Sequence, residues 1–457
     1  MFKRSRAPNT IVQSNPKGLN LFRIAEGLSI IATMIATNGA EPADSAMFRG
    51  GAEHTGIYAS ASTPALSQVA WRYKTGAKIL SSPLVHGDAV YIGSADHNLY
   101  ALNRTSGQLK WKFETRGPVN SSPAILDGMV FAGSLDGRLY AIDAQTGKEK
   151  WHFTTAGERR FTAPGIHGAN PRTEMMADPF DVFLSSPAVT NGTIYFGSGD
   201  NNIYALNAAD GKEKWRFKTG DVVHASPAVS NGTVYVGSWD RNMYALDATT
   251  GREIWRFQTG NDTTIYNQIG IASSAAIANG VVFFGCRDGH FYAVDAATGK
   301  QRWSHDNKMG WVIASPAVRD GVVYFPTSDG TRFKALDAVT GALKYSIENK
   351  AVSFSSPALV NDVVYFGSSD GWVHALEATS GKVKAEFQTD GSKANAAKFT
   401  DSTGRLNSRL LYPDITLDGL IIGIDRMFTL GSVLSSPVVA DGILYVGSTD
   451  GTLYALR

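Results

Sequence analysis

The chain of 457 residues holds one cysteine, Cys286, so no disulfide can form within it. There is no Cys-x-x-Cys-His, which excludes a covalently attached c-type haem. No cysteine lies near the N-terminal apolar segment, so a lipid anchor on an N-terminal cysteine is not expected. Charge of one sign is also lacking: 43 Lys and Arg stand against 41 Asp and Glu, a net +2. No dense basic patch appears, and nucleic acid is not an expected partner. Calcium loops of the Asp-x-Asp-x-Asp-Gly type are absent. Beyond residue 45 no sustained 3.6-residue apolar period is read, which argues against a helical solenoid.

Long apolar runs are missing as well. The stretch Leu28-Ser-Ile-Ile-Ala-Thr-Met-Ile-Ala36 is too short to cross about 30 Å of hydrocarbon as a helix. Lys3, Arg4, Arg6, Lys17 and Arg23 precede it, and the small residues of Ala36-Thr-Asn-Gly-Ala40 follow. This order predicts a cleaved secretory signal over residues 1–40 and a periplasmic or secreted product with no integral membrane segment. No Arg-Arg pair supports a twin-arginine route. Loss of five basic residues and one acid would take the net charge from +2 to −2.

What the chain has in abundance is a repeat of roughly 40 residues, sought first as self-similarity at a fixed period. One copy runs Leu184-Ser-Ser-Pro-Ala-Val-Thr-Asn-Gly-Thr-Ile-Tyr-Phe-Gly-Ser-Gly-Asp, and on to Trp215. Copies recur around Pro83, Pro123, Pro187, Pro227, Ala275, Pro316, Pro357 and Pro437. Each contains four short β-type runs separated by Asn-Gly, Asp-Asn or Asp-Gly, which supply the positive φ of tight hairpins. The expected fold is therefore all-β: an eight-bladed β-propeller of four-stranded antiparallel blades. The last copy ends after its third strand, at Arg457, while Trp71-Arg-Tyr-Lys-Thr-Gly76 matches the fourth strand of other copies. The N-terminal strand should complete the C-terminal blade and leave no sheet edge between them. Residues 41–70 are a lead-in and 71–457 the propeller, with insertions at 156–184, 260–272 and 390–434. A monomer is expected.

The segments Ala141-Ile-Asp-Ala-Gln-Thr-Gly-Lys-Glu-Lys-Trp151 and Ala245-Leu-Asp-Ala-Thr-Thr-Gly-Arg-Glu-Ile-Trp255 resemble the repeat of the pyrroloquinoline-quinone-type eight-bladed propellers. The lead-in Met47-Phe-Arg-Gly-Gly-Ala-Glu-His-Thr-Gly56 is similar to the segment before blade one in that family. The resemblance implies one of two things. One branch oxidises alcohols or sugars with the quinone and a calcium-type ion. The other, which includes the propeller subunit of the outer-membrane β-barrel assembly machine, binds no quinone. Members of the first branch stack the quinone on a ring made by adjacent cysteines, which this chain lacks.

Repeated residues are read as scaffold. Trp71, Trp111, Trp151, Trp215, Trp255 and Trp303 should pack on the neighbouring blade, and Tyr345 and Ala385 take the same place in later copies. Asp96, Asp136, Asp200, Asp240, Asp288, Asp329, Asp370 and Asp450 occupy one turn per blade, suited to an Asx-turn rather than to a metal.

Function is sought where the repeat breaks. All three insertions emerge at the end of the channel that carries the Asp turns. Trp239, Arg287, Trp311, Tyr266, Asn267, Gln268, Arg159 and Arg160 deviate from the pattern toward that end. Together they suit a pocket with aromatic walls and cationic or amide donors, for a planar anionic ligand such as the quinone with calcium, a sugar or a partner peptide. His224, with Asp221 nearby, is the candidate catalytic base of a hydrolase or cyclase. No metal set is assigned. Leu417-Asp-Gly-Leu-Ile-Ile-Gly-Ile424 is expected to form a strand or hairpin over the mouth. The reading preferred is a binding scaffold for a protein, a carbohydrate or another small molecule, with the quinone-dependent dehydrogenase as the alternative.

Overall fold

Short apolar runs cut by turn residues every five or six positions can bury their faces only as narrow antiparallel sheets packed on one another. The computed structural model describes residues 46–260, 269–308, 310–328 and 330–457, and in it eight four-stranded antiparallel sheets follow one another along the chain. The expected signal segment lies outside these residues. So do Tyr266, Asn267, Gln268 and Asp329. Blade 3 shows the pattern: Ala188–Thr190 innermost, then Thr193–Gly197, Asn202–Asn207 and Glu213–Lys218. The middle two strands are buried almost throughout, and the outer one alternates exposed with buried positions. The ring closes as the sequence predicts. Val69–Lys74 pairs antiparallel with Thr452–Leu456, with Trp71 opposite Ala455.

Blade-to-blade contact is repeated chemistry. Each outer-strand indole donates its N–H to a carbonyl in the next blade's outer turn: Trp71 to Arg104, Trp111 to Ala144, Trp151 to Ala208, Trp215 to Ala248, Trp255 to Ala296 and Trp303 to Ala338, at 2.9–3.2 Å. In blade 6 the Tyr345 hydroxyl does the same to Ala378 at 3.0 Å. A glycine lies under each ring. At Gly147, with φ +69°, a Cβ would sit 2.7 Å from Trp111, so both conformation and contact demand glycine.

The turn aspartates are saturated by protein donors. Asp96 accepts the N–H of Asn98 two residues on, the N–H of Gly76 from the preceding blade and the Tyr100 hydroxyl, at 2.6–3.0 Å. The same three donors surround Asp136, Asp200, Asp240, Asp288 and Asp450. Asp370 departs from the set. It is buried, which pushes its carboxyl pKa up, and it accepts from Ser368 at 2.5 Å.

Around the axis one serine per inner strand, before the proline in seven blades and before Ala275 in the other, forms a closed circle. Ser82 N–H donates to Ser122 Oγ, and so on through Ser186, Ser226, Ser274, Ser315, Ser356 and Ser436, whose N–H returns to Ser82 Oγ. All eight bonds measure 2.8–3.2 Å. Inner strands have no sheet neighbour on the axis side, so these N–H groups would otherwise be orphaned. Ser226→Ala should cost about 1–3 kcal/mol by stranding the Ser186 N–H; urea denaturation measures it.

One end of the axial channel is sealed by the lead-in. The carbonyls of Ala46, Ala52, Glu53, Thr55 and Gly56 accept the N–H groups of Ile125, Val229, Ile277, Val318 and Leu359, each from a different blade, at 2.7–2.9 Å. Arg49 is 1% exposed there and donates to the Pro316 carbonyl at 2.9 Å. Burial lowers its pKa to about 10.

The opposite end carries the insertions. Residues 156–184 include the hairpin Thr162–Pro164 with Met175–Ala177. Residues 390–434 form three helices: α1 Asp390–Asn395, α2 Ser408–Leu411 and α3 Leu417–Thr429. Helix α3 corrects the expected strand or hairpin at Leu417–Ile424, and it is the 3.6-residue apolar period missed in the sequence. Its N-terminus is capped by Thr416, whose side chain accepts the Gly419 N–H at 3.0 Å. Leu420, Ile424, Met427 and Phe428 fall on one face and pack inward. Gly423 admits the Tyr412 ring, which would lie 1.9 Å from a Cβ, so the two glycines that look like turn residues serve close packing. No helix among the described residues is long and apolar enough to cross a membrane.

Candidate functional site

Three positions before the proline of each inner strand, or before Ala275 in blade 5, stands a residue that lines the channel mouth. These eight are Leu80, Asn120, Leu184, His224, Ala272, Ile313, Phe354 and Leu434. Six are apolar and close the channel. The cavity left between them and the serine circle is about 50 Å³, room for a few waters and far below the roughly 300 Å³ of small-molecule sites. The two polar members, Asn120 and His224, both grip the 156–184 insertion. Asn120 Nδ2 donates to the Val182 carbonyl at 2.8 Å, and His224 Nδ1 lies 2.6 Å from Asp181 Oδ1.

The unrepeated residues therefore converge, though not as the sequence suggested. His224 is paired with Asp181 and stands 3.6 Å from Glu158, not with Asp221. Asp221 instead accepts from Arg159 Nη2 at 2.9 Å, and the same guanidinium reaches Asn201. Burial alone would lower the His224 pKa, but Asp181 and Glu158 outweigh it and raise it to about 10. At neutral pH the ring is an imidazolium, which cannot act as a general base.

Trp239, Arg287 and Trp311 do come together. The Arg287 guanidinium carbon lies 4.6 Å from the Trp239 ring centroid and 4.8 Å from that of Trp311. Phe161 of the insertion stacks on Trp239 at 4.5 Å and 18°. Trp239 is only 2% exposed, so both of its faces are covered. Asp178, also from the insertion, accepts from Arg287 at 2.5 Å, from His167 at 2.8 Å and from the Phe180 N–H at 2.8 Å. Burial opposes its ionisation, but Arg287 and His167 prevail and hold its carboxyl well below the usual range. His167 in turn packs 5.4 Å from Trp311. Each of His224, Trp239, Arg287 and Trp311 thus holds a different residue of the insertion. Every one of them is a long-range contact, which no local pattern reveals.

These residues do not fit a stacked quinone. The indole N–H groups of Trp239 and Trp311 find no acceptor among the described residues, but neither face of Trp239 is open to a planar ring. Nor do three His, Cys, Asp or Glu side chains gather in ligating reach of an ion among the described residues. Cys286 is buried, with its thiol pKa pushed up chiefly by that burial and its Sγ 3.4 Å from the Gly270 carbonyl.

Arg160 lies apart from this cluster. It lines a groove of about 580 Å³ between the two described insertions, together with Lys78, Leu80, Asn120, Val182, Asp425 and Phe428. The sequence reading named Arg160 but not Lys78, Asn120 or Asp425. Asn120 stands where three other blades have leucine, and that break in the repeat was its available signal.

Known structures share the architecture. The crystal structure of BamB from Moraxella catarrhalis is similar over 85% of this chain and 99% of that one, at 16% identity and a TM-score of 0.62. The quinohemoprotein alcohol dehydrogenase ADHIIG from Pseudomonas putida HK5 is similar over 91% and 80%, at 17% identity and 0.66. A europium-containing methanol dehydrogenase is similar over 90% and 91%, at 16% identity and 0.65. At these identities the likeness concerns the fold. A comparison with curated protein sequences gives no match. The profile of the family described as outer membrane protein assembly factor BamB matches residues 59–170, 170–309 and 265–411. With that match spanning most of its length, on an eightfold ring of this construction, the chain belongs to the PQQ-like propeller family of outer membrane protein assembly factor BamB.

Proposed function

We propose that this protein is a non-catalytic binding module that works through the insertion-bearing end of the ring, outside the cytoplasm. The observation that carries the reading is the filled mouth. Phe161, Asp178 and Asp181 of the chain itself occupy the aromatic and cationic residues that a quinone would need. A ring whose axial cavity is about 50 Å³ has its recognition surface on the outside, in the groove between insertions and on their exposed faces. Membership of the assembly-factor family supports a protein partner. The hydrolase or cyclase reading loses its base, since His224 is held as an imidazolium between two carboxylates.

The quinone-dependent dehydrogenase is tested directly. Purified protein mixed with pyrroloquinoline quinone and calcium should show no new absorbance band and no rise in melting temperature. A stoichiometric spectral change with stabilisation would return the chain to the dehydrogenase branch.

A further inference from the structure

The groove between the insertions has the makings of a ligand site with a definite chemistry. Its volume of about 580 Å³ falls in the range of about 300–1,000 Å³ for small-molecule sites. Its walls come from separate parts of the chain: Lys78 and Leu80 lead into blade 1, Asn120 leads into blade 2, Arg160 and Val182 belong to one insertion, Asp425 and Phe428 to the other. Leu80, Val182 and Phe428 supply apolar surface.

The polar groups are unmatched in a particular way. Asn120 is 6% exposed, and its Oδ1 has no hydrogen-bond partner among the described residues. The amide cannot be turned to cure this, because its Nδ2 already donates to the Val182 carbonyl, which accepts only from a donor. A buried acceptor left unmade costs about 1–3 kcal/mol, so a donor is called for at that point. Lys78 and Arg160 make no ion pair among the described residues; Lys78 Nζ only sits 4.5 Å over the Phe428 ring. Burial lowers the Lys78 pKa, with Asp425 opposing and Arg160 adding to the effect, which puts the three charges within one field. Asp450, also in the wall, is no counter-ion for them, since it already accepts from Gly391, Thr452 and Tyr454. Two cations thus face one available acid, Asp425, and one neutral acceptor lacks a donor.

We propose that this groove binds a small carboxylate that also carries a neutral hydrogen-bond donor, with Lys78 and Arg160 meeting the carboxylate and Asn120 Oδ1 accepting from the donor. The inference rests on the binding-module reading and names the chemistry of its ligand. A hydroxylated sugar acid and the C-terminal end of a short peptide both have this pattern: carboxylate, adjacent O–H or N–H, and an apolar body.

Isothermal titration of the full chain at low salt distinguishes them, using glucuronate and a dipeptide as probes, with glucuronate methyl ester and the dipeptide amide as uncharged controls. Binding of one acid and not its control identifies the source. Arg160→Met should weaken that binding about tenfold or more, the worth of one charge-assisted hydrogen bond. Asn120→Leu, which places in blade 2 the residue found at Leu80, Leu184 and Leu434, should weaken it about tenfold through loss of the neutral bond. Absence of heat with both acids at millimolar concentration overturns the proposal, as does equal affinity in Arg160→Met. Either failure leaves the binding-module reading to the quinone titration, whose outcome is independent of this groove.

Discussion

Arg287→Ala is expected to destabilise the protein by about 3–5 kcal/mol, because it breaks a buried ion pair by removing one partner. Arg287 and Asp178 are each 1% exposed and bond at 2.5 Å. Without the guanidinium, Asp178 keeps among the described residues His167 and one backbone N–H, and a gap opens between the Trp239 and Trp311 rings. The loss should appear first as local opening of the 156–184 insertion, since the blades have their own contacts. Limited trypsin digestion should therefore cut faster at Arg159, Arg160 and Arg172, alongside a lower denaturation midpoint. The double replacement Arg287→Met with Asp178→Leu should recover most of the stability, because a matched apolar pair carries no uncompensated charge. A single mutant within about 1 kcal/mol of the parent would contradict the buried pair, since the loss of one partner costs several times that.

His224→Gln should cost a similar about 3–5 kcal/mol at neutral pH, as it leaves two nearly buried carboxylates, Asp181 and Glu158, without their cation. The pH dependence identifies the cause. The two carboxylates raise the folded-state pKa of His224 to about 10, against an ordinary 6.5 for histidine. Its contribution is complete below the unfolded value and is lost as pH rises through the folded one. Stability of the parent should decline between about pH 6.5 and 10, and His224→Gln should flatten that decline. Melting curves across this range decide it. An unchanged slope in the variant would assign the alkaline loss to other groups.

The repeated part of the chain could be read from the sequence, and the pairing of its departures could not. The ring of eight, the hairpin turns, the roles of six of the turn aspartates and the Trp71 strand that completes the last blade were legible, while Asp370 departs from its equivalents. Each recurs at a fixed period, so a residue's partner can be inferred from its seven equivalents. The unrepeated residues could be singled out for the same reason, as departures, but their partners could not. Arg287 finds Asp178 across 109 positions and His224 finds Asp181 across 43. Asp221 looked like the partner of His224 because it is close in sequence, yet a side chain in an extended strand meets what lies across the channel mouth. Helix α3 was missed because Gly419 and Gly423 read as turn residues, whereas one contacts Asp414 and the other the Tyr412 ring.

By itself the sequence determined the scaffold: local turn chemistry and a two-residue strand period, repeated eight times, permit one closed ring. Only the tertiary structure decided what the departures are for. Filling the mouth or leaving it open depends on whether Phe161, Asp178 and Asp181 reach Trp239, Arg287 and His224. That is a question of burial and charge pairing between distant segments, and it appears only when the insertion is seen packed against the ring.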